Sequence, residues 1–102
     1  MNSFDKVYLQ VKKIPKGKVV TYKQISQIVE ISPRVVGFAL HANKNPKEVP
    51  CHRVVNIKGQ LAKGYVFGGE GEQRKKLEDE GVKFLESGLV DLSLSQYIFK
   101  AS

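Results

Sequence analysis

Two helix-start signals stand eleven residues apart in this 102-residue chain, leaving room for only a short helix and a tight turn between them. Thr21 and Gln24 have capping-box spacing, in which the Thr hydroxyl takes the N3 backbone N–H and the Gln side chain returns to the N-cap N–H. Ser32-Pro33 reads as an N-cap followed by proline at N1, where the missing N–H costs nothing and φ is already helical. Ile25, Ile28 and Val29 supply the inward face of the first helix, and Val36, Ala39, Leu40 and Asn43 line one side of the second. Two short helices joined this tightly have the form of a helix-turn-helix unit, with the second helix as the reader. Many small helical domains contain a similar pair for packing alone, so the surrounding chain has to decide.

Upstream, Asn2 and Ser3 offer N-caps to a helix carrying Phe4, Val7, Tyr8 and Val11, which stops before the breaker cluster Ile14-Pro15-Lys16-Gly17. Downstream, residues 43–49 form a polar loop. Residues 53–56 then read as a strand, 57–59 as a turn and 60–61 as a return strand, a hairpin that would form a wing. After a Gly-rich stretch over 64–71, the spacing predicts a charged helix over 72–80 with Gly81 at C′. The tail keeps Phe84, Leu85, Val90, Leu92, Tyr97 and Phe99, enough apolar surface to pack back on the body. The fold class expected is mostly α with a small β-hairpin: a single winged helix-turn-helix domain over 1–102.

Seventeen Lys and Arg against ten Asp and Glu give a net charge of +7, which favours a polyanionic partner, nucleic acid before anionic membrane. One cysteine excludes an intramolecular disulfide, and neither an apolar leader nor a spanning-length apolar run is present. A monomer in a reducing cytoplasmic (or nuclear) setting is expected, with no membrane association, cofactor or metal.

That cysteine lies in Pro50-Cys51-His52-Arg53-Val54. A thiol becomes chemically useful when it ionises, and a cationic or proton-accepting neighbour is the usual means. Adjacent side chains on an extended strand point to opposite faces, so a Cys51–His52 contact requires a turn or a helix. Pro50 fits a turn. The bland alternative is a buried, inert cysteine.

The run from Ile14 to Tyr22, then Arg34 with Gly37, Asn43, the Pro50–Val54 run and Glu80-Gly81 together resemble the C-terminal domain of O6-alkylguanine-DNA alkyltransferases. The resemblance covers roughly Phe4 to Gly81. It implies a winged helix-turn-helix domain that binds double-stranded DNA through the minor groove, flips O6-alkylguanine and moves the alkyl group irreversibly onto cysteine. Carried over by position, it makes Cys51 the acceptor, His52 the residue that takes the thiol proton through a water, and Glu80 the group orienting the imidazole. It makes Asn43 the hinge between recognition helix and active-site loop. On the DNA side it implies Arg34 as a finger entering the stack, Tyr22 beside the target's 3′ phosphate, and Arg53 as a further DNA contact. Pro46, Val54 and Tyr65 would wall the pocket. The chemistry is coherent: attack on an alkyl carbon needs an activated thiol, and a base inside the duplex must be extruded before it can be reached.

The chain also departs from the pattern. The segment from Tyr22 to Arg34 is about two residues shorter than the family's usual, and the loop after the hairpin is longer. Val66 stands where a Ser often follows the pocket tyrosine, and Gln73 replaces a common Lys. Gln73-Arg74, Glu80-Gly81-Val82 and the Val90-Asp91-Leu92 tail look more like the alkyltransferase-like proteins, which usually lack the cysteine and hand lesions to nucleotide excision repair. The expected function is therefore self-alkylation on Cys51. Its alternative is a non-reacting lesion sensor, and a redox-sensing transcription regulator is the reading from another class.

Overall fold

The structure, a computed structural model, describes residues 1–100. Helix α1 (Ser3–Val11) starts at Asn2, whose Oδ1 accepts the Asp5 N–H at 2.9 Å, and buries Val7 and Val11. Both capping-box bonds form at the head of α2 (Tyr22–Val29): Thr21 N to Gln24 Oε1 at 2.8 Å and Gln24 N to Thr21 Oγ1 at 3.1 Å. Glu30, left-handed at φ 57°, ends that helix. Ser32 caps α3 (Pro33–His41), which has proline in its first turn. The helix-turn-helix pair is thus built by the signals that announced it.

The expected hairpin takes another form. Strand β1 (Val20–Thr21) pairs in parallel with β2 (Val54–Val55), in register Val20 with Val54 and Thr21 with Val55. Residues 56–60 do turn back, but the Asn56 side chain closes the turn, accepting from Lys58 N–H at 2.9 Å and Gln60 N–H at 2.8 Å. Asn56 N–H also donates to Gln60 O at 3.1 Å, but the turn bonds to the tail as well. Gly59, at φ +86°, gives its carbonyl to Val90 N–H at 2.9 Å, and a Cβ there would lie 2.6 Å from the Val90 carbonyl oxygen. A ladder between 53–56 and 60–61 loses to these non-local bonds.

Helix α4 (Gly69–Asp79) begins three residues before the expected start, with Gly81 at φ 92° just past its C-cap, Glu80. The tail packs back as its apolar content requires. After α5 (Leu92–Ser95), capped by Asp91, Tyr97 N–H donates to Val19 O at 2.7 Å, while Val19 N–H donates to Ser95 O at 2.8 Å. Gln24, already in the capping box, also donates to Tyr97 O at 2.7 Å.

Two clusters make the core. One gathers Val7, Val11, Ile14, Val20, Ile25, Val36, Ala39, Leu40 and Val54 around Cys51 and Tyr65, and the other joins Val19, Val55, Leu77, Val82 and Val90. Full burial of each large aliphatic contributes roughly 1.5–3 kcal/mol relative to exposure. Neighbouring residues of one two-residue strand enter different clusters, so the short sheet is the seam between them. Among the described residues, no helix is long and apolar enough to cross a membrane.

Candidate active site

Asn43, buried at the end of α3, closes the polar loop on itself: its Nδ2 donates to Val49 O at 2.8 Å and its Oδ1 accepts from Asn45 N–H at 3.0 Å. The chain then tightens into one 3-10 turn over Cys51–Arg53, with Cys51 N–H bonded to Val49 O at 2.7 Å and Arg53 N–H to Pro50 O at 3.0 Å. This is the turn that Pro50 promised. Both Cys51 and His52 are buried in it.

A cavity of about 200 Å3 opens onto Cys51. Helix α3 contributes Gly37, Leu40 and His41 to its wall, Tyr22 comes from the start of α2, and Tyr65 and Val66 close it from the Gly-rich loop. Tyr65 therefore lies where a pocket wall was expected, and Tyr22 lines the same space. Pro46 and Val54 are not brought to it. Val54 is fully buried in the core, because it pairs with Val20. Pro46 borders a second, wider depression of about 520 Å3 that also exposes His52, Lys47, Lys76 and Glu80.

After the cysteine in the same turn, His52 and Arg53 both meet Glu80. Glu80 Oε2 lies 3.1 Å from His52 Nε2, and the same carboxylate receives Arg53 Nε at 2.9 Å and Nη2 at 2.6 Å. The third arm of Arg53 donates to Ile14 O at 2.8 Å. Arg53 was expected on the DNA face and instead points inward. Its guanidinium matches the Glu80 carboxylate bidentately, and with its side chain 14% exposed it has little reach toward a phosphate.

The electrostatics follow from burial. Burial works to raise the Glu80 carboxyl, but hydrogen bonds from Arg53 and His52 together hold it below its ordinary value. Burial lowers the His52 pKa and outweighs the opposing pull of Glu80, so the imidazole is neutral near pH 7. Since Nε2 faces a carboxylate it carries the proton, which leaves Nδ1 as a bare acceptor. That Nδ1 is buried and has no hydrogen-bond partner among the described residues. For Cys51 the expectation reverses. Burial pushes the thiol up from its ordinary value, against smaller downward pulls from the Asn43 amide and the Lys76 charge. The resting sulfur is a thiol awaiting a base.

Three residues at the site were not read as functional. Gln73, fully buried on α4, donates to the carbonyls of His52 at 3.0 Å and Val54 at 3.2 Å and accepts the Ala62 N–H at 2.9 Å. It ties the cysteine turn to the helix that carries Glu80. Phe38 is 53% exposed on α3 with the Arg34 guanidinium 5.6 Å from its ring centroid. Lys76 Nζ donates to the Tyr65 hydroxyl at 2.7 Å. Phe38 had a signal, since it falls out of phase with the inward set Val36, Ala39 and Leu40 and one turn after Arg34.

The fold is thus a helix-turn-helix domain whose second helix walls a cavity lined by Cys51, with a buried His52–Glu80 pair on the adjoining turn. The chain belongs to the 6-O-methylguanine DNA methyltransferase family, whose DNA-binding-domain model matches residues 2–82. It is 38% identical over 101 residues to alkyltransferase-like protein 1 of Schizosaccharomyces pombe, covering 95% of this chain and 94% of that protein. It is 48% identical over 80 residues to a methylated-DNA–protein-cysteine methyltransferase of Saccharolobus islandicus, covering 78% of this chain and 51% of the relative. The chain thus spans about half the length of that methyltransferase. Among solved structures, S. pombe Atl1 in complex with damaged DNA containing O6-carboxymethylguanine superposes with a TM-score of 0.77 at 36% identity, covering 96% of this chain and 94% of that one. The O6-methylguanine-DNA methyltransferase of Pyrococcus kodakaraensis gives 0.69 at 38% identity, over 80% of this chain and 47% of that one.

Proposed function

We propose that this protein binds double-stranded DNA containing O6-alkylguanine, turns the damaged base into the Cys51 cavity and takes its alkyl group irreversibly onto Sγ. The observation that carries the reading is the buried His52 next to Cys51 in one turn, whose Nδ1 has no partner among the described residues while Nε2 is held by Glu80. In the step, the thiol proton goes to Nδ1 through a water. The new S–C bond forms as the C–O6 bond breaks; guanine leaves with the bonding pair and takes a proton from water, while the imidazolium returns its proton to solvent. Glu80 stabilises the imidazolium that results, as a buried carboxylate partner does for a general base. A thiol with a raised pKa suits this scheme, because it stays protonated and unreactive until a substrate fills the cavity.

A second reading is supported by the match along nearly the full length of alkyltransferase-like protein 1. In it the domain holds the lesion without reacting and recruits nucleotide excision repair proteins. Intact-protein mass spectrometry after incubation with an O6-methylguanine duplex separates the two. The transferase reading expects one methyl gained per molecule, on Cys51, with unmodified guanine left in the DNA. Tight lesion binding with no mass gain over hours would make the protein a sensor.

A further inference from the structure

We propose that Lys76 is a positioning residue for the cysteine site: its ammonium clamps the Tyr65 phenol and supplies the fixed positive charge under which negative charge develops in the cavity. The half-buried side chain rises from α4 and donates to the Tyr65 hydroxyl at 2.7 Å. Its Nζ also lies 5.1 Å from the Tyr65 ring centroid and 5.5 Å from that of Phe67, and the two rings pack edge to face at 5.8 Å. Lysine ordinarily extends into water or meets a carboxylate. Here the Tyr65 phenol oxygen and the nearby Phe67 ring hold it, and among the described residues the ion pairs use His52, Arg53 and Arg74 only. Its charge is therefore not cancelled by an ion pair, and in a partly desolvated site such a charge acts over a longer range than at the surface.

Tyr65 gives this charge its direction. The ammonium occupies a lone pair on the phenol oxygen, so the hydroxyl proton is free to be donated elsewhere, and Tyr65 is part of the cavity wall with Cys51. A cation on the oxygen makes that proton a stronger donor. The groups facing Cys51 are Tyr8 from α1, Tyr22 from α2, His41 from α3, the adjacent His52, Tyr65 and Lys76. Of these, Lys76 is the group whose positive charge acts on the sulfur. It favours the thiolate over the thiol and the base form of His52 over the imidazolium, both required before transfer. Val66 offers no hydroxyl to the departing oxygen, which leaves the phenols of Tyr22 and Tyr65 in the wall, and of these Tyr65 is the one bonded to Lys76.

The role in transfer rests on the transferase reading, whereas the charge on the sulfur can be tested without DNA. Lys76→Met keeps a long unbranched side chain and removes the charge, and Lys76→Arg returns a cation. Iodoacetamide alkylation of Cys51, followed against pH, should show a midpoint raised by about half a unit or more in K76M and restored in K76R. Single-turnover transfer from an O6-methylguanine duplex should slow about tenfold in K76M with DNA affinity changed little. Should K76M not fold, Tyr65→Phe removes the anchor alone and should slow transfer in the same direction. A K76M midpoint identical to wild type overturns the proposal. A wild type that takes no methyl from DNA, yet shows the K76M shift, sets aside the transferase reading and keeps the role of Lys76.

Discussion

Glu80, the C-cap of α4, and Arg53, the last residue of the cysteine turn, form a two-pronged ion pair in which Nε–Oε1 is 2.9 Å and Nη2–Oε2 is 2.6 Å. The pair locks the helix to the turn and leaves Glu80 Oε2 still in reach of His52.

Removing one side of that pair leaves the other charge buried. Arg53→Ala should therefore destabilise the fold by about 3 kcal/mol, since breaking a buried pair strands its partner. Urea unfolding measures it. In the folded fraction, the salt dependence of DNA binding should match wild type. A stable R53A with weakened DNA affinity would return Arg53 to the DNA face.

Stability should fall on acidification. His52 titrates in the fold below its ordinary value of 6.5, so between the two values the unfolded chain binds more protons and stability drops as pH falls. Glu80, held below its ordinary 4.5, acts in the same direction further down the scale. Melts from pH 8 to pH 4 should show a midpoint that declines from about pH 6.5 downward. His52→Gln should flatten the upper part of that decline. A wild-type midpoint that does not move across that upper range argues against a buried neutral imidazole.

Arg34 is exposed at the start of α3 with its guanidinium over Phe38. Arg34→Ala should impair extrusion of the lesion more than general DNA binding, read from a fluorescent base analogue placed beside the O6-alkylguanine. Phe38→Ala, which removes the platform holding the guanidinium, should give a smaller defect of the same kind. Equal losses on intact and damaged duplexes would reduce Arg34 to a phosphate contact.

With a net charge of +7, affinity for undamaged duplex should fall linearly on a log–log plot against salt, because each neutralised phosphate releases counterions. A flat titration between 50 and 200 mM, a span over which several phosphate contacts cost about a thousandfold or more, would rule out this mode of binding.

Val66 is 38% exposed at the cavity wall. Val66→Ser should leave stability within about 0.5 kcal/mol, as for other surface changes. It should also accelerate transfer, since one added hydrogen bond to developing charge is worth roughly 1–3 kcal/mol. Unchanged single-turnover rates would place the O6 position away from residue 66.

Much of this was legible in the chain because it is local. The caps at Asn2, Thr21 and Ser32 each act within three residues, and each forms as read. Cys51 and His52 stood next to each other in the chain. What escaped was non-local. Val54-Val55 looks the same whether its partner follows five residues later or precedes it at Val20-Thr21. Nothing near Arg53 reveals that Glu80 and the Ile14 carbonyl surround it. Gln73 stood out only as a missing lysine, yet it is a fully buried amide with three bonds.

The parallel register has a kinetic side. Val20 and Val54 are thirty-four positions apart, so their pairing closes a loop that contains the whole helix-turn-helix and the polar loop after it. The helices can nucleate early from their own caps, whereas this closure must wait for chain entropy to be overcome. Cys51 lies between the two events, three residues before β2. Until the strands dock and Glu80 and Gln73 of the later helix reach the turn, the sulfur is an ordinary thiol open to solvent. During refolding, protection of Cys51 from a thiol reagent should therefore trail the appearance of helix, making the cysteine a clock for the last stage of assembly.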